Sequence, residues 1–268
     1  MSDEAWKRSE PQPWREPGAK LAASLAFLTR LPISAPQRPM ALVAAMPLFP
    51  VAGALIGAFT GVLAAFLADG GVAPLLAACL AFAATLCLTG ALHEDGLADT
   101  ADGFGGGTTR ERRLELMRDS HIGTYGTLAL VAAAIAKVTA IGAIVPALGW
   151  CAVLVLAATG AGSRAAMVWL MAKTPPARSD GLSASTGQPD GETLKWTAVT
   201  GLMIALLLLW WTVGFLDAAF ALLAGAAATL AMQRLALRQI GGQTGDVCGA
   251  TQVASEIAIL AAVTASLP

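Results

Sequence analysis

The segment HEDGLADTADGFGGG, residues 93–107, gathers Glu94, Asp95, Asp99 and Asp102 between apolar stretches and follows them with glycines. On a helix, at about 100° per residue, Asp95, Asp99 and Asp102 project within roughly 60° of one another while Glu94 points elsewhere. Carboxylates sharing one face raise one another's pKa and strain the helix unless a cation sits among them. Oxygen-only donors suit magnesium, calcium or manganese rather than zinc, and magnesium combines a few carboxylates with phosphate oxygens of a substrate. The bland alternative is a solvated acidic helix end with a glycine stop. These acids abut membrane-length apolar segments, where unpaired carboxylates are costly, so a metal site is the better reading.

Other polar segments supply anion-binding groups. RDSHIGTYG, 118–126, sets Arg118, Asp119, His121 and Tyr125 among glycines whose amides can approach an anion, although a helix cap through Asp119 or Thr124 explains the run as well. GGQTGDVCGATQ, 241–252, is a glycine-lined entrance to a helix, with Thr244 and Asp246 at its centre and Glu256 deeper in. No G-K-[ST] follows and no strand precedes it, so it is neither a P-loop nor a dinucleotide fingerprint; a helix N-terminus there favours phosphate. Arg164, in TGAGSRAAMVW, and Lys137, in AIAKVTA, sit inside apolar helices and must face the bundle interior or snorkel. For Arg164 a structural salt bridge and a phosphate contact are both open. The segment 174–192 carries Arg178 and Asp180 and reads as a lid or a plain linker.

The elements that must position these groups follow from composition. A chain of 268 residues with 56% hydrophobic and 13% charged residues and a mean hydropathy of +0.66 is an all-α polytopic membrane bundle. Crossing a hydrocarbon core of about 30 Å takes roughly 17 to 25 helical residues. Seven stretches qualify, near 41–68, 72–92, 126–146, 149–171, 197–214, 217–236 and 252–267. Residues 19–33, broken by Arg30 and Pro32, are too short to cross and read as an interfacial helix; residues 1–18 read as a flexible cytoplasmic tail, not a signal peptide. Basic residues cluster before the first span and in the segments 93–125, 172–196 and 237–251, while the turns near Gly70, Leu148 and Phe215 have none. Under the positive-inside rule the N-terminus and all three polar segments are cytoplasmic. A net charge of -1 argues against nucleic-acid binding. Cys79, Cys87, Cys151 and Cys248 show no metal or redox spacing and read as small buried hydrophobes.

FLTRLPI (27–33), HEDGLADTADGFGGG (93–107), MRDSHIGTYG (117–126) and GGQTGDVCGA (241–250), in this order and among this many spans, resemble the cobalamin synthase family, the adenosylcobinamide-GDP ribazoletransferases. The likeness covers nearly the whole chain. It departs at His121, where the family's D-S-R-I-G pattern has Arg, so a basic contact at that position is not carried over. The resemblance implies a magnesium-dependent transferase of the bacterial inner membrane. It would join α-ribazole, or its 5'-phosphate, to adenosylcobinamide-GDP with release of GMP. Under that reading Asp95, Asp99 and Asp102 hold magnesium, Asp246 is a second metal contact or general base, and Arg118, Arg164 and Arg178 meet phosphates, with Glu94, Asp119 and Thr244 in support. The implied partners are the two small-molecule substrates and membrane lipid, and a homo-oligomer is left open. A CDP-alcohol phosphotransferase of lipid synthesis is disfavoured, because its pattern puts Ala-Arg three residues beyond the first Asp-Gly, whereas Leu97, Ala98, Asp99 and Thr100 follow Asp95 and Gly96 here. A cation-coupled transporter predicts acids near the midplane and paired half-repeats, and the sequence shows no internal repeat.

Overall fold

The computed structural model describes residues 16–34, 39–179 and 187–267; most of the expected tail, and Asp180, lie outside them. The described chain forms α1 (Pro17–Leu28), α2 (Pro39–Ala45), α3 (Phe49–Asp69), α4 (Pro74–Thr89), α5 (Leu92–Gly106), α6 (Arg110–Leu116), α7 (Thr124–Leu148), α8 (Ala152–Lys173), α9 (Gly191–Val213), α10 (Phe215–Ile240) and α11 (Gly245–Ala265). The extended pairing among described residues is a single parallel bridge between Pro176 and Gln243. Helix starts follow local chemistry. Proline occupies the first turn of α1, α3 and α4, where its missing N–H costs nothing. Thr109, Asp190 and Thr244 accept from the backbone amides of Arg112, Thr193 and Val247 and so cap α6, α9 and α11.

The bundle is tied together through small residues. Gly53, Gly57 and Gly61 form one face of α3 at four-residue spacing, and a Cβ on any of them would strike the backbone of α8 at Gly160, Leu156 or Val153. With lipid as apolar as leucine, such close backbone approach is what brings membrane helices together. Large apolar side chains on α9 and α10 point outward instead, with Trp211 81% and Leu216 80% exposed, as a lipid-facing surface requires.

The chain is a multi-pass membrane bundle, but the spans differ in detail from the seven expected. Among the described residues, length and composition give five: Leu42–Asp69, Thr124–Lys173, Gly191–Val213, Phe215–Ile240 and Gly245–Ala265, or six if the bent pair α4 and α5 is one. The stretch Thr124–Lys173 holds both α7 and α8 on either side of Gly149, whose φ of +54° ends the first helix. The expected 72–92 span falls short because α4 has 16 residues, about 24 Å at 1.5 Å per residue.

That helix does not continue into the acidic run. Gly90 and Ala91 are both left-handed, and α5 restarts at 90° to α4. The φ of +68° at Gly90 favours glycine there, and the Arg30 side chain lies against it. Ala91 is the one non-glycine residue with positive φ among the described residues, a strain of about 1 to 2 kcal/mol that its surroundings must hold. The segment 93–125 is accordingly α5 and α6 rather than an open loop.

The helix expected over 19–33 is α1, which ends at Leu28 and buries Ala23, Ser24 and Leu28, with Ala23 and Leu28 in a core containing Met46, Phe49 and Leu170. The cysteine reading is corrected: Cys79, Cys87 and Cys151 lie on the outer surface and only Cys248 is buried. An apolar thiol suits a lipid-facing position as well as a core.

Candidate active site

Helices α5 and α11 come close at Gly96, where a Cβ would lie 2.7 Å from the Asp246 carbonyl oxygen. This approach brings the acidic face of α5 beside the first turn of α11. A cavity of about 160 Å³ opens there. Its polar side carries Asp95, Asp246 and Arg178, and its apolar wall comes from Phe27, Met46, Phe49, Met167 and Met171. Phe27 and Phe49 stack at 5.7 Å, so α1 closes one side of the cavity.

Asp246 is held by its neighbours. Thr244 donates its hydroxyl to the Asp246 carboxylate at 3.1 Å while accepting from the Val247 amide at 3.3 Å, so the residue that caps α11 also orients the acid. Arg178 Nη2 lies 3.5 Å from the same carboxylate oxygen. Its placement is tertiary: Ala177 N–H donates to the Gln243 carbonyl and Gln243 N–H to the Pro175 carbonyl, each at 2.8 Å, stitching the two loops together. Arg110 reinforces them, donating to the carbonyls of Ile240 and Ala177, and Arg113 donates to the Gln239 carbonyl. Arg178 Nη1 is buried and has no hydrogen-bond partner among the described residues. A guanidinium half-satisfied at the wall of a cavity is suited to an anion.

Asp99, on α5 and outside the five spans, is half-buried and faces the same acids. Burial, then Asp246, Asp95 and Asp102, push its carboxyl up to about 7, against the opposing pull of Arg178. Such crowding of negative charge is what a cation relieves.

The remaining sequence candidates separate. Asp102 shares the acidic face, but its two carboxylate oxygens accept from Gly123 N–H at 2.7 Å and Gly126 N–H at 2.8 Å. It therefore caps the start of α7, a use the spacing argument did not anticipate. Arg164 is not brought to the cavity. It is 4% exposed, 3.9 Å from Glu256, and bonded to Ser163 at 3.2 Å. Of its two open roles the structure realises the salt bridge, because an arginine sealed among helices needs a nearby acid. Arg118 and Asp119 are exposed between α6 and α7, where Asp119 accepts from the His121 amide at 3.0 Å and ring nitrogen at 2.8 Å. Those two hydrogen bonds hold the Asp119 carboxyl below the usual carboxylate range.

Sequence reasoning missed the partner of Lys137. Its ammonium lies 3.0 Å from Glu94 and 2.7 Å from Glu256. The available signal was charge balance: Lys137 and Arg164 inside apolar helices require two acids, and Glu94 and Glu256 are the ones in reach. The contribution of the N-terminal segment to the cavity was also missed, since Phe27, Met46 and Phe49 carry no polar signature.

Among the described residues no set of three or more His, Cys, Asp or Glu side chains is arranged to hold a metal by itself. The chemistry of the donors nonetheless fits magnesium, which uses one or two carboxylates and takes its remaining ligands from water and phosphate. Asp95, Asp99 and Asp246 offer only oxygen, from two facing helices, and their mutual repulsion favours a hard cation between them.

Comparison with known proteins bears on the whole chain. The family described as Cobalamin-5-phosphate synthase matches residues 20–264. A protein of Bradyrhizobium diazoefficiens named adenosylcobinamide-GDP ribazoletransferase is 45% identical over 244 residues, covering 90% of this chain and 92% of the relative. Proteins of the same name from Sinorhizobium medicae and Allorhizobium ampelinum are 44% and 43% identical, covering 90% and 92% of this chain and 94% and 96% of their own lengths. No solved structure matches. With four motifs, a helical bundle and a family match spanning nearly every described residue, the chain belongs to the cobalamin-5-phosphate synthase family.

Proposed function

We propose that this chain is an adenosylcobinamide-GDP ribazoletransferase, joining α-ribazole or its 5'-phosphate to adenosylcobinamide-GDP and releasing GMP. The observation that carries the reading is the cavity in which Arg178, its Nη1 without a partner among the described residues, stands beside Asp246 and Asp95, within a chain whose relatives bear that name. The reaction is transfer of a phosphoryl group to a hydroxyl. The attacking oxygen forms a bond to the phosphorus attached to the corrinoid, the bond from that phosphorus to the GMP oxygen breaks, and the hydroxyl proton passes to a base. Positioning and charge neutralisation dominate such catalysis.

Each residue has a role in this scheme. Arg178 holds phosphate oxygens through its free nitrogen. Asp95 and Asp99 are the groups that would hold magnesium, with Asp246 as third contact or as the base that takes the proton, oriented by Thr244. When bound, magnesium neutralises charge on the pyrophosphate. Asp102 keeps the start of α7 against α5 rather than binding metal. The apolar wall of Phe27, Phe49 and the methionines excludes water and offers a face for a planar ring. A volume near 160 Å³ suits one heteroaromatic base, not a corrin macrocycle, so the corrinoid rests outside it.

The reaction end of the bundle faces the cytoplasm of a bacterial cell, with the inner membrane as its location. Supporting this, Arg110, Arg112, Arg113, Lys173, Lys195 and Arg238 all cluster at the cavity end, and the turns at 69–74, 148–152 and 213–215 carry no lysine or arginine. The test is GMP release by purified protein in detergent with both substrates, with and without magnesium. Turnover that requires the metal and is lost in Asp95→Asn and Asp99→Asn is the expected result; turnover retained in both variants refutes the site.

A further inference from the structure

Behind the cavity lies a cluster that does not line it. Glu94 on α5, Lys137 on α7, Arg164 on α8 and Glu256 on α11 meet with side chains 12%, 7%, 4% and 19% exposed. Lys137 bridges the two acids at 3.0 and 2.7 Å, and Arg164 stands 3.9 Å from Glu256. Gln252 closes the group, donating to Glu256 at 2.9 Å and to Ser163 at 3.0 Å. Two acids and two cations leave the cluster neutral.

Stability alone does not call for such a group, because a buried ion network is often no better than apolar packing of the same volume. Its directional character matters on α5 in particular. The fully buried positions of α5 are His93, Gly96, Ala98, Thr100 and Gly103; Phe104 packs on the core near its finish, but at its start no large aliphatic or phenyl side chain does. Its start follows two left-handed residues and lacks a side-chain cap. Polar contacts fasten α5 to α7 at both ends: Glu94 to Lys137 near the start, and Asp102 to the Gly123 and Gly126 amides near the finish. Asp95 follows Glu94 directly and Asp99 lies one turn on.

We infer that Lys137, braced by Glu256 and Arg164, is a positioning residue that sets the rotation and depth of α5 through Glu94 and thereby aims Asp95 and Asp99 at Asp246. The inference rests on the metal reading above for its consequence, not for its geometry. Residues that orient metal ligands typically change metal affinity by roughly 10- to 100-fold when lost.

The experiment uses the full chain in detergent. Binding of Mn²⁺, as a paramagnetic stand-in for magnesium, is followed by loss of its free-ion signal, and hydrogen exchange is followed across 93–102. Lys137→Met is expected to weaken Mn²⁺ binding by about 10-fold or more and to speed exchange over that segment, and Lys137→Arg to restore both. Leu209→Ala, a buried change on α9 remote from α5, matches the loss of stability and should leave both readouts near wild type. If Lys137→Met does not fold, Glu94→Gln removes the charge with little change of shape and is read the same way. Unchanged exchange over 93–102 in the folded variant, or an equal effect from Leu209→Ala, overturns the inference. If the wild-type chain binds no Mn²⁺, the metal reading fails, and exchange alone decides whether Lys137 places α5.

Discussion

Replacing Arg178 tests the cavity most directly. Its Nη2 stands 3.5 Å from the Asp246 carboxylate and its Nη1 has no hydrogen-bond partner among the described residues, so within them the side chain is only partly used. A charge-assisted hydrogen bond is worth about 1.5 to 3 kcal/mol, which is what the one free guanidinium nitrogen on a phosphate oxygen contributes. At about 1.4 kcal/mol per tenfold, Arg178→Ala should lower kcat/KM by about 10- to 100-fold. Arg178→Lys keeps the charge and loses the fork, and should fall in between. Stability should fall as well, because Arg178 and Asp246 are only 18% and 23% exposed and the change leaves a largely buried carboxylate held by Thr244 alone. The assay is GMP release at saturating magnesium, varying each substrate in turn, with thermal midpoints measured in parallel. An Arg178→Ala enzyme within about threefold of wild type in kcat/KM, with its fold intact, would refute the assignment of this guanidinium to the phosphates.

Three further outcomes follow from the same geometry. Gly96→Ala places a methyl 2.7 Å from the Asp246 carbonyl oxygen, forcing α5 and α11 apart; kcat should drop by about 100-fold with a stability loss of about 1 to 3 kcal/mol, and normal turnover would show that this contact does not set the site. Asp102→Ala strips the acceptor from two amides of α7 and should cost about 1 to 3 kcal/mol in a denaturation experiment, whereas Asp102→Asn should keep turnover within about tenfold, unlike Asp95→Asn or Asp99→Asn; equal loss in all three would restore Asp102 to the metal site. Asp99, raised to about 7, retains a proton in the folded chain where the unfolded chain has lost it, so its contribution to metal-free stability is full below the ordinary carboxylate pKa and is lost as pH rises through about 7. Magnesium competes with that proton, so the rise in thermal midpoint on adding it should be larger at about pH 8 than at about pH 6. A larger rise on the acid side would contradict the placement of Asp99.

The legible part of the site was the part written in local periodicity. Asp95, Asp99 and Asp102 share a face because the helical repeat puts them there, and α5 is helical from Leu92 to Gly106 as that argument needs. The polar entrance to α11 was likewise readable from a few adjacent residues. Less legible was the break at Gly90 and Ala91. A glycine in an apolar run can be a packing contact or a turn, and the deciding neighbour, Arg30, is far away in sequence. Arg164 shows the same limit: its cost in a membrane helix required a partner, but choosing between a phosphate and Glu256 depended on how α8 and α11 adjoin.

By itself the sequence determined that apolar helices form a membrane bundle, that its polar segments gather at one end, and which residues stand on the acidic face, because hydropathy, charge asymmetry and helical period are properties of neighbouring residues. Only the tertiary structure decided that Asp246 and Arg178 join Asp95 and Asp99, that Asp102 caps α7, and that Arg164 and Lys137 serve a buried ion network. Those outcomes depend on which helix backbones come into contact, at Gly53 and Gly160 and again at Gly96 and Asp246, and long-range packing of that kind leaves no periodic trace in the chain.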